Sequence, residues 1–138
     1  MMEAVSKGAR SAGARVIGVT VTIFEGEGKR PGPNPYNDEV IQYDNLRDRL
    51  YHLVSRCDAA VAMPGGIGTM SEIALTWSLL QVSEINPMPF VVYGQEWKDL
   101  LDNLYGSGLY VDSKHMSLWR AAQSPEEVIS QLRGWAHD

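Results

Sequence analysis

Short apolar runs alternate along this chain with longer stretches in which apolar residues recur every three or four positions. The run RVIGVTV at 15–21 lacks clean two-residue alternation, the pattern of a strand buried on both faces. AAVAMP at 59–64 and PFVVYG at 89–94 read the same way, EVIQY at 39–43 is a shorter strand, and MSLWRAAQ holds a last one. Helical periodicity predicts helices over 2–12, 45–56, about 70–82 and 96–105. Gly13 is placed to cap the first, and SPEE opens a C-terminal helix with Ser124 as cap and Pro125 at its first position. Strands that alternate with helices imply an α/β fold: a parallel sheet with helices on both faces, in one domain spanning 1–138.

Two segments break this rhythm. Residues 24–38 carry three glycines and three prolines and form no regular element; Arg30, Asn34 and Tyr36 are their candidate ligand contacts, weighed against an idle surface loop. The other is MPGGIGTMSE, 63–72, which joins a strand to a helix at the carboxyl edge of the sheet, where such folds bind ligands. Gly65, Gly66 and Gly68 let a ligand approach the main chain and are free to take positive φ; Thr69 adds a hydroxyl, and the helix start favours an anion. That makes the turn a phosphate cradle in preference to a plain connection. Thr69 and Glu72 are spaced T-x-x-E, so by spacing alone Glu72 reads as half of a capping box before it reads as a catalyst.

In the helix at 45–56, Leu46, Leu50, Leu53, Val54 and Cys57 share the core-facing side, while Asp48, Tyr51, His52 and Ser55 point away. Arg49 and Arg56 lie on one flank of that stripe and Arg47 on the other, and periodicity does not choose which of them meets an anion. The helix at 70–82 is apolar on two sides, Leu75, Leu79 and Val82 on one and Ile73, Trp77 and Leu80 on the other. A helix of that kind needs a second layer, which predicts a two-fold homodimer through it.

Composition narrows the function classes. A net charge of -5 argues against nucleic-acid binding through a basic surface, though it leaves room for one small phosphorylated ligand. The single Cys57 removes intramolecular disulfides and multi-cysteine metal sites, and the histidines at 52, 115 and 137 show no metal-ligand spacing. No stretch reaches the ~20 apolar residues of a membrane span, and the first residues lack the apolar core of a secretion signal, so the expected location is the cytoplasm.

MPGGIGTMSE followed by TWSLLQ resembles the LOG family, cytokinin riboside 5'-monophosphate phosphoribohydrolases often labelled possible lysine decarboxylases. Their PGGxGTxxE mark is complete here, from Pro64 to Glu72, and the opening MMEAVSKGARSAGARVIGV is similar to the family's corresponding segment. The likeness spans nearly the whole chain and is strongest over 44–82. It assigns the family's arginine to Arg49, followed here by Leu50 where the family often has lysine. The resemblance implies a Rossmann-like fold, a dimer, and hydrolysis of a nucleoside 5'-monophosphate to free base and ribose 5-phosphate without metal or organic cofactor. It implies Arg49 and Glu72 as catalytic residues, with Gly65, Gly66, Gly68 and Thr69 on the phosphate. None of Lys7, Lys29, Lys98 or Lys114 sits in anything resembling a pyridoxal-phosphate site. Family members carry a strand and a first glycine loop ahead of the segment that opens this sequence. The expectation is therefore a fold truncated at its N-terminus relative to the family, lacking half of the nucleotide pocket. The alternative function is a non-catalytic binder of a nucleotide or phosphorylated cofactor, such as a sensor or a molybdenum-cofactor carrier.

Overall fold

The computed structural model describes residues 1–24, 32 and 34–135. The chain groups into two compact units, Met1–Leu53 and Val54–Asp138.

In the first unit, α1 (Met2–Ser11) leads to β1 (Ile17–Val21), a short 3-10 turn (Thr22–Phe24) and β2 (Glu39–Tyr43); α2 (Leu46–Ser55) begins in this unit. Gly13, at φ +81°, ends α1 where the sequence places the cap: its N–H bonds to Arg10 O, and that of Ala14 to Ala9 O, the two bonds of a Schellman turn. β1 and β2 are parallel, with Ile17 opposite Glu39 and Val21 opposite Tyr43. Asp38 fixes that register: its carboxylate accepts the Val16 N–H at 2.8 Å and its own N–H donates to Val16 O at 2.8 Å. α2 opens on a capping pair, in which Asn45 Oδ1 accepts the Asp48 N–H at 2.9 Å and Asn45 Nδ2 donates to the Asp48 carboxylate at 2.7 Å.

The second unit holds β3 (Ala60–Ala62), α3 (Ile67–Gln81), β4 (Phe90–Tyr93), α4 (Gln95–Tyr105), α5 (Ser113–Met116), β5 (Arg120–Ala122) and α6 (Pro125–Gly134). β3, β4 and β5 form a parallel sheet in that order, Ala60 opposite Phe90 and Val92 opposite Ala121. β4 is the middle strand, and Phe90, Val91 and Val92 are each at most 1% exposed. α3, α4 and α6 pack on this sheet around Ile73, Trp77, Leu80, Met88, Trp97, Leu101 and Trp119. The indole N–H groups of Trp77 and Trp97 donate to His115 O and Met63 O, so both rings serve the core. Parallel, open sheets flanked by helices make this an α/β, Rossmann-like architecture, as the alternation of elements predicts.

Several expectations change. α3 starts at Ile67 and not near Met70, because the glycine turn itself supplies the first helical turn. Leu46, expected on the core-facing side of α2, is 47% exposed: it is the first residue of the helix, at the edge of the packed stripe. The two apolar sides of α3 are covered unequally, with Ile73 fully buried and Leu79 only 6% exposed, while Val82, at the C-cap, is 67% exposed. Burial of Leu79 is thus achieved within the chain. α5, four residues long, has no counterpart among the predicted elements. Among the described residues, no helix is long and apolar enough to cross a membrane.

Candidate functional site

The turn between β3 and α3 is built by close backbone packing. Gly66 is the N-cap of α3 in an extended conformation (φ -94°, ψ -151°), with no side-chain cap, and the first helical bond runs from Met70 N–H to Gly66 O. The amides of Ile67, Gly68 and Thr69 therefore open the helix without an i−4 carbonyl, the arrangement that binds anions. None of Gly65, Gly66 and Gly68 uses positive φ; the glycines serve close approach instead. A methyl group on Gly65 would stand 2.3 Å from Thr69 Oγ1, so the threonine hydroxyl lies directly over the Gly65 backbone. Above Gly66 and Gly68 the space is open, with nothing within 4 Å of the position a Cβ would take.

This geometry corrects the reading of Thr69 and Glu72 as a capping box. With Gly66 as N-cap, Thr69 is the third helical residue and Glu72 lies beyond the first turn, too far along to reach the amides a cap serves. Glu72 is half-buried, and its backbone carbonyl accepts the hydroxyl of the buried Thr76 at 2.7 Å.

On α2, burial separates the three arginines that the helical periodicity leaves undecided. Arg47 is exposed and bonds its neighbour Asp48, and Arg56 is exposed. Arg49 is part-buried, and its Nε donates to Val19 O on β1 at 3.0 Å, which fixes the plane of the guanidinium. His52 lies beside Tyr43, whose hydroxyl is 2.6 Å from Nδ1.

The loop candidates divide. Arg30 lies outside the described residues. Asn34 donates to Ser6 Oγ on α1 at 2.8 Å and accepts the Tyr36 N–H at 2.8 Å; the Tyr36 ring lies 6.0 Å from the Lys7 ammonium. Both side chains thus hold the approach to β2 against α1. Lys114 sits 3.9 Å from Asp112, and Lys98 donates to Asp102 at 2.6 Å, which holds its pKa above the ordinary lysine value. A Schiff-base lysine requires the opposite shift.

Close to the turn is a cleft of about 350 Å³ lined by Pro64, Gly65, Glu96, Trp97 and Leu100. Sequence reasoning missed it, since its walls come from two helices' approaches separated by some thirty residues.

Comparison with known proteins gives two matches. A family model described as "Possible lysine decarboxylase" matches residues 2–132. A relative in rice (Oryza sativa subsp. japonica), named a probable cytokinin riboside 5'-monophosphate phosphoribohydrolase, is 32% identical over 87 residues. That alignment covers 59% of this chain and 36% of the relative, so the chain matches little more than a third of that protein's length.

Proposed function

The chain belongs to the possible lysine decarboxylase family, which includes the LOG proteins, and from that premise we propose that it hydrolyses the N-glycosidic bond of a nucleoside 5'-monophosphate. The products are a free base and ribose 5-phosphate. The carrying observation is the start of α3: an uncapped helix N-terminus at Gly66, open space above Gly66 and Gly68, and a half-buried carboxylate, Glu72, on the same helix. The 5'-phosphate sits on the amides of Ile67, Gly68 and Thr69, with the Thr69 hydroxyl as a further donor.

Breaking the bond sends its electron pair to the base and leaves positive charge on C1' and the ring oxygen of ribose. A carboxylate stabilises that charge and accepts a proton from the water that adds to C1', and Glu72 takes this role. The departing base takes up one proton from solvent and the carboxylate later gives one back, so that the net change is addition of water across the bond. Arg49, its Nε held by Val19 O, is the second residue proposed as catalytic, as the family resemblance implies. The rice relative's name supports a cytokinin-type riboside monophosphate, and adenosine monophosphate is the simplest substrate to try. A homodimer through 70–82 is part of the same proposal, read out by light scattering.

The test incubates the purified protein with adenosine monophosphate and follows free base. Release of adenine that falls about 10²- to 10⁴-fold in Glu72→Gln, with binding retained, supports the reading. Binding without any release by the wild type points to the non-catalytic alternative and sinks the hydrolase.

A further inference from the structure

The polar side chains of α4 are mostly tied in pairs one turn apart, Gln95 to Asp99 at 2.6 Å and Lys98 to Asp102 at 2.6 Å. Asn103 and Tyr105 stand outside those pairs, and so does Glu96. Among the described residues its carboxylate has no hydrogen-bond or ion-pair partner, and it lines the cleft beside the glycine turn with Leu100 one turn further along. The rest of the wall is Pro64, Gly65 and Trp97, and Trp97 is locked in place by its bond to Met63 O at 3.1 Å. A Cβ on Gly94 would lie 3.2 Å from Glu96 Oε2 and 3.4 Å from Pro64 Cγ, so carboxylate and proline ring meet over bare backbone.

We propose that Glu96 is a specificity-determining residue: the cleft takes the base of the nucleotide, and Glu96 accepts a hydrogen bond from an amino group on its edge. The inference rests on the reading of the glycine turn as a nucleotide phosphate site. A carboxylate is an acceptor and repels phosphate, so the part of a nucleotide that meets it is a hydrogen-bond donor and not the phosphate. Pro64, Trp97 and Leu100 offer apolar walls suited to a flat ring. A sugar would bring several hydroxyls to one acceptor and leave most of them unpaired. A 6-aminopurine donates to Glu96, whereas a 6-oxopurine sets a carbonyl oxygen against it, acceptor to acceptor.

The experiment measures binding by calorimetry in a Glu72→Gln background, so that no base is released during the titration. Adenosine, inosine and 2'-deoxyadenosine monophosphates are compared, with ribose 5-phosphate as the ligand that lacks a base. The expected result is a preference of about ten- to hundredfold for the adenosine over the inosine nucleotide. That preference disappears in Glu96→Ala and narrows in Glu96→Gln, whose amide either accepts or donates. Ribose 5-phosphate binds all variants equally, which shows that the turn and fold are intact. A preference that survives Glu96→Ala, or a loss confined to the 2'-deoxy nucleotide, overturns the proposal. If adenosine and inosine nucleotides bind equally, only this inference falls; if no phosphorylated ligand binds, the nucleotide reading of the turn falls with it.

Discussion

The hydroxyl of Thr69 stands directly over the backbone of Gly65, 2.3 Å from where a methyl group on that glycine would lie, with Thr69 Cβ at 3.2 Å from the same point. The small residue this contact demands is thus a packing requirement before it is a ligand requirement. Gly65→Ala should destabilise the protein by about 1–3 kcal/mol through overpacking. Thr69→Ala removes the obstructing oxygen, so the double variant should recover most of the loss. A double-mutant cycle by denaturant unfolding checks this, and a coupling energy near zero would contradict the contact.

Ser83 offers a stabilising change. It ends α3 at φ 58°, with its N–H on Leu80 O and that of Glu84 on Leu79 O, a Schellman turn whose left-handed position holds a non-glycine residue. Ser83→Gly relieves that conformation and should add about 1 kcal/mol, or roughly 3–5 °C in Tm for a chain of this size. Calorimetry on the two proteins decides it.

The parts of the fold that were legible in the sequence are those set by local chemistry. Gly13 ends α1 in the left-handed conformation expected of a glycine cap, and Ser124 accepts the Glu127 N–H at 3.1 Å, as SPEE predicts. The start of α3 lies three residues ahead of the expected one because glycines 66 and 68 are poor helix formers that carry no side-chain signal, which leaves Thr69 with the spacing of a cap. α5, Ser113–Met116, is too short for helical periodicity to mark it. Periodicity could not separate Arg47, Arg49 and Arg56; what does is a tertiary contact, Arg49 Nε on Val19 O. The cleft beside Glu96 depends likewise on residues 64–65 meeting 96–100, which no local pattern encodes.

The Asn45–Asp48 pair gives α2 a dependence on acid. Hydrogen bonds from Asn45 and then from Arg47 hold the Asp48 carboxyl below its ordinary value. A depressed folded-state pKa contributes stability that is present above the unfolded value, roughly 3.9, and is lost as pH falls through the folded one. Asn45→Ala should therefore raise the Asp48 pKa toward the ordinary value and narrow the stability advantage above about pH 4. A carboxyl NMR titration of both proteins reads the shift directly; an unmoved Asp48 resonance would remove Asn45 as its cause.

Gly94 tests whether the wall of the cleft is rigid. It caps α4 at φ 112° and ψ 147°, a region open in practice to glycine alone, and a Cβ there would press on Glu96 Oε2 and come into contact with Pro64 Cγ. Gly94→Ala thus combines backbone strain of about 1–3 kcal/mol with displacement of the carboxylate that lines the cleft. The backbone cost appears as a lower unfolding midpoint in urea. The displacement appears separately, as a reduced preference for the adenosine over the inosine nucleotide with unchanged affinity for ribose 5-phosphate. A variant that loses stability but keeps the full preference would show that Glu96 adjusts to the new methyl group and that the cleft is not set by Gly94.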